Sequence, residues 1–130
     1  MKTYTDLEQS KKLAEILPLE SADMWWLYVT AQCKRIAMMH EEPDPHYLAR
    51  MKGYGIKDAA IRCWSLAALL DTLKDFNPDI IFLRNTTDCY GARLTNVWRL
   101  TVNRCDTVFT DNLVDACYEM ILKLHEQKLL

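Results

Sequence analysis

The segment Ala22-Asp23-Met24-Trp25-Trp26-Leu27-Tyr28-Val29-Thr30 constrains the fold more than any other part of the chain. Aromatic and β-branched residues crowd it, and that composition reads as a β-strand. Side chains alternate along a strand, so Met24, Trp26 and Tyr28 face one side and Trp25, Leu27 and Val29 the other. Both faces are apolar, and the strand needs cover on both, from helices or from a second subunit. Only one of two adjacent tryptophans can enter a given core face. The other is left for an opposite layer or for a partner, and tryptophan is enriched in interface hot spots. Trp25, Trp26 and Tyr28 are therefore the candidates for a protein-binding surface or a homodimer contact, with core packing accounting for the pair equally well.

A chain of 130 residues, 50% hydrophobic and with three glycines and four prolines, fits one domain of ordinary globular composition. At that size roughly two-thirds of the surface exposed by the unfolded chain can be buried, so neither metal nor disulfide is needed for folding. Thr5-Asp6-Leu7-Glu8 has the form of a capping box, followed by a helical stripe of Leu7, Leu13, Ala14, Ile16 and Leu17 that Pro18 closes. Residues 31–62 are the least regular and read as an insertion or long connection. Within them Asp44-Pro45 suits the N-cap and first position of a short helix carrying Leu48 and Met51 and ending near Gly53-Tyr54-Gly55. Ser65 suits the N-cap of a helix with Leu66, Leu69, Leu70, Leu73 and Phe76 at helical spacing; Trp64 and Leu69 take its hydrophobic-staple positions. Three β segments follow at 79–84, 93–102 and 105–110. A last helix begins near Thr110-Asp111-Asn112 with Leu113, Cys117, Met120, Ile121 and Leu124 along one face. Strands in runs, not in strict alternation with helices, predict a compact single α+β domain over 1–130. About three helices pack on a mostly antiparallel sheet of about four strands.

Four segments carry a likeness to known sequences: Ser10-Lys11-Lys12-Leu13-Ala14-Glu15, Ala22-Asp23-Met24, Trp64-Ser65-Leu66-Ala67-Ala68-Leu69-Leu70, and Asp111-Asn112-Leu113-Val114-Asp115-Ala116-Cys117-Tyr118-Glu119-Met120. In order and placement the chain resembles the small uncharacterised proteins of prophages and mobile elements in gut bacteria, over most of its length apart from about 31–62. Members often carry proline where this chain has Cys63 and Leu113. The resemblance implies an accessory protein of phage or mobile-element origin. It brings no activity and no catalytic residues.

Candidate chemistry is sparse. His40-Glu41-Glu42-Pro43-Asp44-Pro45-His46 offers enough ligands for zinc or manganese, but its prolines and non-helical spacing favour a solvated acidic loop. Five cysteines (Cys33, Cys63, Cys89, Cys105, Cys117) form no CxxC pair, and reduced cysteines without an apolar leader point to the cytoplasm. Cys63 precedes a helix N-cap and is the one candidate nucleophile; Cys117 lies on an apolar helix face, and His125 sits in a last helical turn where a cation is favourable. No phosphate-binding glycine loop and no nucleophile elbow occurs, so no cofactor is expected and an enzyme is disfavoured. A formal charge of -2 argues against a chain coated for nucleic acid. Yet residues 84–104 hold Arg84, Arg93, Arg99 and Arg104 against Asp88 alone, a local +3 with Tyr90 and Trp98 among them. That composition could hold single strands by charge and stacking, although Trp98 and Arg99 project to opposite faces of a regular strand. No apolar run reaches the length of a membrane span. The leading expectation is a non-enzymatic protein that acts through protein–protein contact, with a nucleic-acid role second and an enzyme third.

Overall fold

The structure is a computed structural model that describes residues 2–29, 34–39, 41–56, 58–84, 86–87, 89–94, 96–103 and 106–130. It is α+β with antiparallel sheets. The chain divides into two compact units, Tyr4–Ala68, and Leu69–Leu130 together with Met1–Thr3.

The first unit opens with helix α1 (Leu7–Ile16). Its N-cap is Asp6 and not Thr5: the Asp6 carboxylate accepts from the Gln9 N–H, and the Gln9 side chain accepts from the Asp6 N–H. The capping box is thus set one residue later than the sequence pattern suggested, because Thr5 is drawn into the interior. Strand β1 (Met24–Val29) lies between β2 (Lys34–Met39) and β3 (Ala60–Cys63), both antiparallel to it. Trp25 stands opposite Met38 and Arg62, and Trp26 opposite Ala37 and Ile61. Helix α2 (Pro45–Gly53) starts as its sequence predicts, with Asp44 capping the His46 N–H, Pro45 in the first turn and Tyr54 at the C-cap. Residues 31–62, expected to be irregular, therefore contain two strands and a helix. The two strands owe their existence to the ladder on β1 and not to local propensity.

Helix α3 (Leu66–Leu73) begins in the first unit, where Ser65 Oγ accepts from the Ala68 N–H at 3.2 Å, and runs into the second. A 3-10 turn (Lys74–Phe76) extends it to Asn77, whose φ of 51° ends the helical run. The second unit holds strands β4 (Asp79–Leu83), β5 (Thr86–Thr87), β6 (Arg93–Leu94), β7 (Val97–Thr101) and β8 (Val108–Thr110), then helix α4 (Leu113–Glu126). β7 is central in the order β4-β7-β8, and β5 and β6 form a separate two-stranded ribbon. The strand expected over 93–102 is broken where Asn96 takes a φ of 54°, so its two ends serve different sheets. Among the described residues, two three-stranded sheets and a ribbon stand where a single sheet of about four strands was expected, and four α-helices where about three were expected.

Burial follows the apolar stripes. Leu13 of α1, Cys63 at the end of β3 and Trp64 just beyond it are fully buried in the first unit. In the second, α4 lies against β7 and β8, burying Val114, Cys117, Met120, Ile121 and Leu124 along with Leu100 and Val108. Each such side chain contributes roughly 1.5–3 kcal/mol relative to its exposed state.

Candidate interaction surface

The candidate trio of β1 is divided between two faces. Trp26 packs inward: its indole N–H donates to the Thr5 carbonyl at 3.1 Å, and its ring meets Tyr4 edge-on at 5.7 Å. Tyr28 lies on the same side by strand alternation, and both its N–H and its carbonyl are engaged. Its N–H donates to the Ala59 carbonyl at 2.9 Å, and its carbonyl accepts from the Tyr47 hydroxyl. Both are half-buried and spent on internal contacts. Trp25 faces the other way. The guanidinium of Arg62, its cross-strand partner on β3, sits 4.2 Å from the centre of the Trp25 ring. A cation in that position is attracted by the negative ring face.

Trp25 and Arg62 together form the wall between two open hollows. One, of about 350 Å³, is bounded by Lys11 and Ala14 of α1, Leu19 of the following 3-10 turn, Asp58, and Ala60, Ile61 and Arg62 of β3 beside Trp25. Leu19 is 48% exposed there, an apolar side chain at the mouth. The other, of about 180 Å³, is more polar and is lined by Ala22, Asp23 and Glu42 beside the same pair. Asp23 is fixed by Ser65, whose N–H donates to Oδ1 at 2.9 Å and whose hydroxyl donates to Oδ2. The Trp25 face therefore combines a stacked aromatic–cation pair, exposed apolar surface and charges of both signs. Lys11, Leu19, Asp58 and Arg62 were not among the sequence candidates. Only the pairing of β1 with β3 brings Arg62 to Trp25, and β3 was not legible as a strand.

None of the other described candidates is among the residues lining these hollows. Cys63 is fully buried, and its thiol lies 3.5 Å from Thr5 Oγ1 and 3.4 Å from the Thr5 carbonyl. Burial raises its pKa, which holds it as a thiol and removes the basis for a nucleophile. Cys117 lies in the core of the second unit, pushed up to about 12 by burial. His46 is exposed at the start of α2, and His40 lies outside the described residues; among those described, no three His, Cys, Asp or Glu side chains form a metal-ligating group. His125 is exposed, with Nδ1 3.2 Å from the Leu130 carbonyl oxygen. Of the arginines, Arg84 is exposed beyond the end of β4 and Arg93 is exposed in the ribbon. Arg99 lies half-buried in the centre of β7, with Nη2 3.9 Å from Asp79 Oδ2, and Arg104 is outside the described residues. Trp98, on the opposite face of β7 from Arg99, meets Phe82 at 5.0 Å. Trp98 and Arg99 therefore do not share one face of β7.

No helix among the described residues is long and apolar enough to cross a membrane. Comparison of the chain with protein-family models, with curated proteins and with solved structures returns no match.

Proposed function

We propose that this chain is a non-enzymatic binding protein that works by docking a protein partner on the Trp25 face of its first sheet. The observation that carries this reading is the Trp25–Arg62 pair, stacked at 4.2 Å and flanked on both sides by open hollows. Tryptophan and arginine are the residues that most often dominate binding energy at protein interfaces, and a neighbouring apolar side chain such as Leu19 supplies dry contact around them. The burial of Cys63 and Cys117 supports a binding role over thiol chemistry. A second copy of the chain is one possible partner. An accessory role in the cytoplasm of a phage-bearing or mobile-element-bearing cell is the setting suggested by the sequence resemblance.

Quantitative capture from the native host on immobilised wild-type and Trp25→Ala protein tests the reading, with light scattering of both to register self-association. A hot-spot role predicts a loss of 2 kcal/mol or more, about thirtyfold in retained partner. Equal capture and equal oligomeric state for the two proteins would sink it.

A further inference from the structure

The outer edge of β3, which no other strand among the described residues pairs along its length, is the feature that reaches furthest. In an antiparallel pair, alternate residues turn their peptide N–H and C=O toward the neighbouring strand and the others turn theirs away. The bond from the Tyr28 N–H to the Ala59 carbonyl continues the β1–β3 register by one residue. Ala59, Ile61 and Cys63 therefore address β1, and Ala60 and Arg62 present their peptide groups to the opposite side.

That outer edge is already used once by the chain itself. Just beyond β3 the Thr5 N–H donates to the Trp64 carbonyl at 2.9 Å, and Tyr4 stands opposite Ser65 in an antiparallel bridge. Continued in the same register, the next partner of Arg62 would be Leu7, but Leu7 is the first residue of α1. The N-terminal segment thus leaves the edge at Asp6. Ala60 and Arg62 are left facing the 350 Å³ hollow, with Lys11, Ala14, Leu19 and Trp25 around it.

We propose that this hollow is a strand-addition site, in which an extended segment of a partner protein pairs with Ala60 and Arg62 and becomes the outermost strand of the first sheet. Main-chain bonds to an open sheet edge supply affinity in this mode of recognition, and side-chain pockets supply selectivity. Lys11 and Arg62 outweigh Asp58 in charge, which selects a segment with acidic side chains. Leu19, Ala14 and Trp25 select apolar side chains alongside them. The proposal rests on the partner-binding reading above and narrows it to the backbone conformation and charge of what is bound.

The test uses the full chain and an array of blocked hexapeptides in which acidic or basic residues alternate with apolar ones. Binding of the best peptide is then measured by fluorescence anisotropy. Acidic peptides are expected to be retained and basic ones not. Ala60→Pro removes only an outward N–H and spares the ladder to β1, so it should weaken binding about tenfold or more. Lys11→Glu should weaken it comparably. Alternate N-methylation of the peptide backbone should do the same while leaving the protein unaltered, which keeps the test decisive if Ala60→Pro does not fold. Indifference to peptide charge, failure of every hexapeptide to bind, or full affinity for the N-methylated peptide would each overturn strand addition. Any of these outcomes together with loss of capture by Trp25→Ala would remove the edge proposal and leave the broader partner-binding reading standing.

Discussion

Cys117 and Cys63 give the residue scale its sharpest expectation, because both thiols are sealed from water and Cys89 is not. Cys117 holds its proton up to about pH 12 in the folded chain, while in the unfolded chain it ionises near 9. Between those values the folded state binds more protons, so stability falls as pH rises through this window and is unaffected by this group below it. The slope is about 1.4 kcal/mol per pH unit for one group. Denaturant midpoints measured at pH 8, 9 and 10 should fall more steeply for the wild type than for Cys117→Ala. A second measurement follows from the same burial: alkylation mapped by mass spectrometry should modify Cys89 in the native protein, and Cys63 and Cys117 only once it is unfolded. The core role of Cys117 was readable from its place on an apolar helical stripe. The burial of Cys63 was not, since it depends on Thr5, which is 58 residues away and lies 3.5 Å from its sulfur.

Helix signals survive the passage from sequence to structure better than strand signals, and the caps show why. Asp44, Ser65 and Asn112 each accept from a backbone N–H within three residues, an interaction fully specified by local order. Replacing Asn112 by Ala removes the bond to the Asp115 N–H at 2.8 Å and should cost about 1 kcal/mol, read as a lowered melting temperature. Asn112→Ser, which keeps an acceptor at the cap, should retain more of the stability, whereas Asn112→Asp would set a carboxylate against that of Asp115, to which the Asn112 amide donates. Strands depend instead on distant partners. Ala60-Ile61-Arg62-Cys63 has neither alternation nor length to announce itself, and it becomes a strand because β1 offers four consecutive residues in register. Residues 93–102 alternate well enough to predict one strand, yet a single left-handed residue at Asn96 redirects the chain and splits it. The candidate surface was half legible for the same reason. Trp25 stood out as an aromatic on a two-faced apolar strand, and Arg62 could not be assigned to it without the ladder.

For the whole molecule, the class was readable and the layout was not. Strands in runs imply an antiparallel α+β fold, but nothing local says how the eight short strands among the described residues distribute over sheets. The answer, two units each with a three-stranded sheet, places fully buried leucines in both: Leu13 in the first, Leu100 and Leu124 in the second. Leu13→Ala and Leu124→Ala should each destabilise the chain by about 2–5 kcal/mol in urea titrations. Phe109, 44% exposed on β8, should tolerate the same change within about 0.5 kcal/mol. A loss as large at Phe109 as at Leu13 would show that burial is not what stabilises each unit.

Thr5 gives the fold a chronology. Its hydroxyl, fully buried, bonds to Ser10 Oγ at 2.8 Å and accepts from the Trp64 N–H at 3.1 Å, so the first turn of α1 and the end of β3 share one anchor. A chain emerging from the ribosome at ~5–20 residues per second makes the first half of that anchor several seconds before the second. Until Trp64 emerges, the start of α1 has no seat, and Trp26 has nothing holding the Thr5 carbonyl in place for its indole. The Thr5 anchor is therefore completed only after Trp64 has been made, and residues from the start of the chain are held by ones made much later.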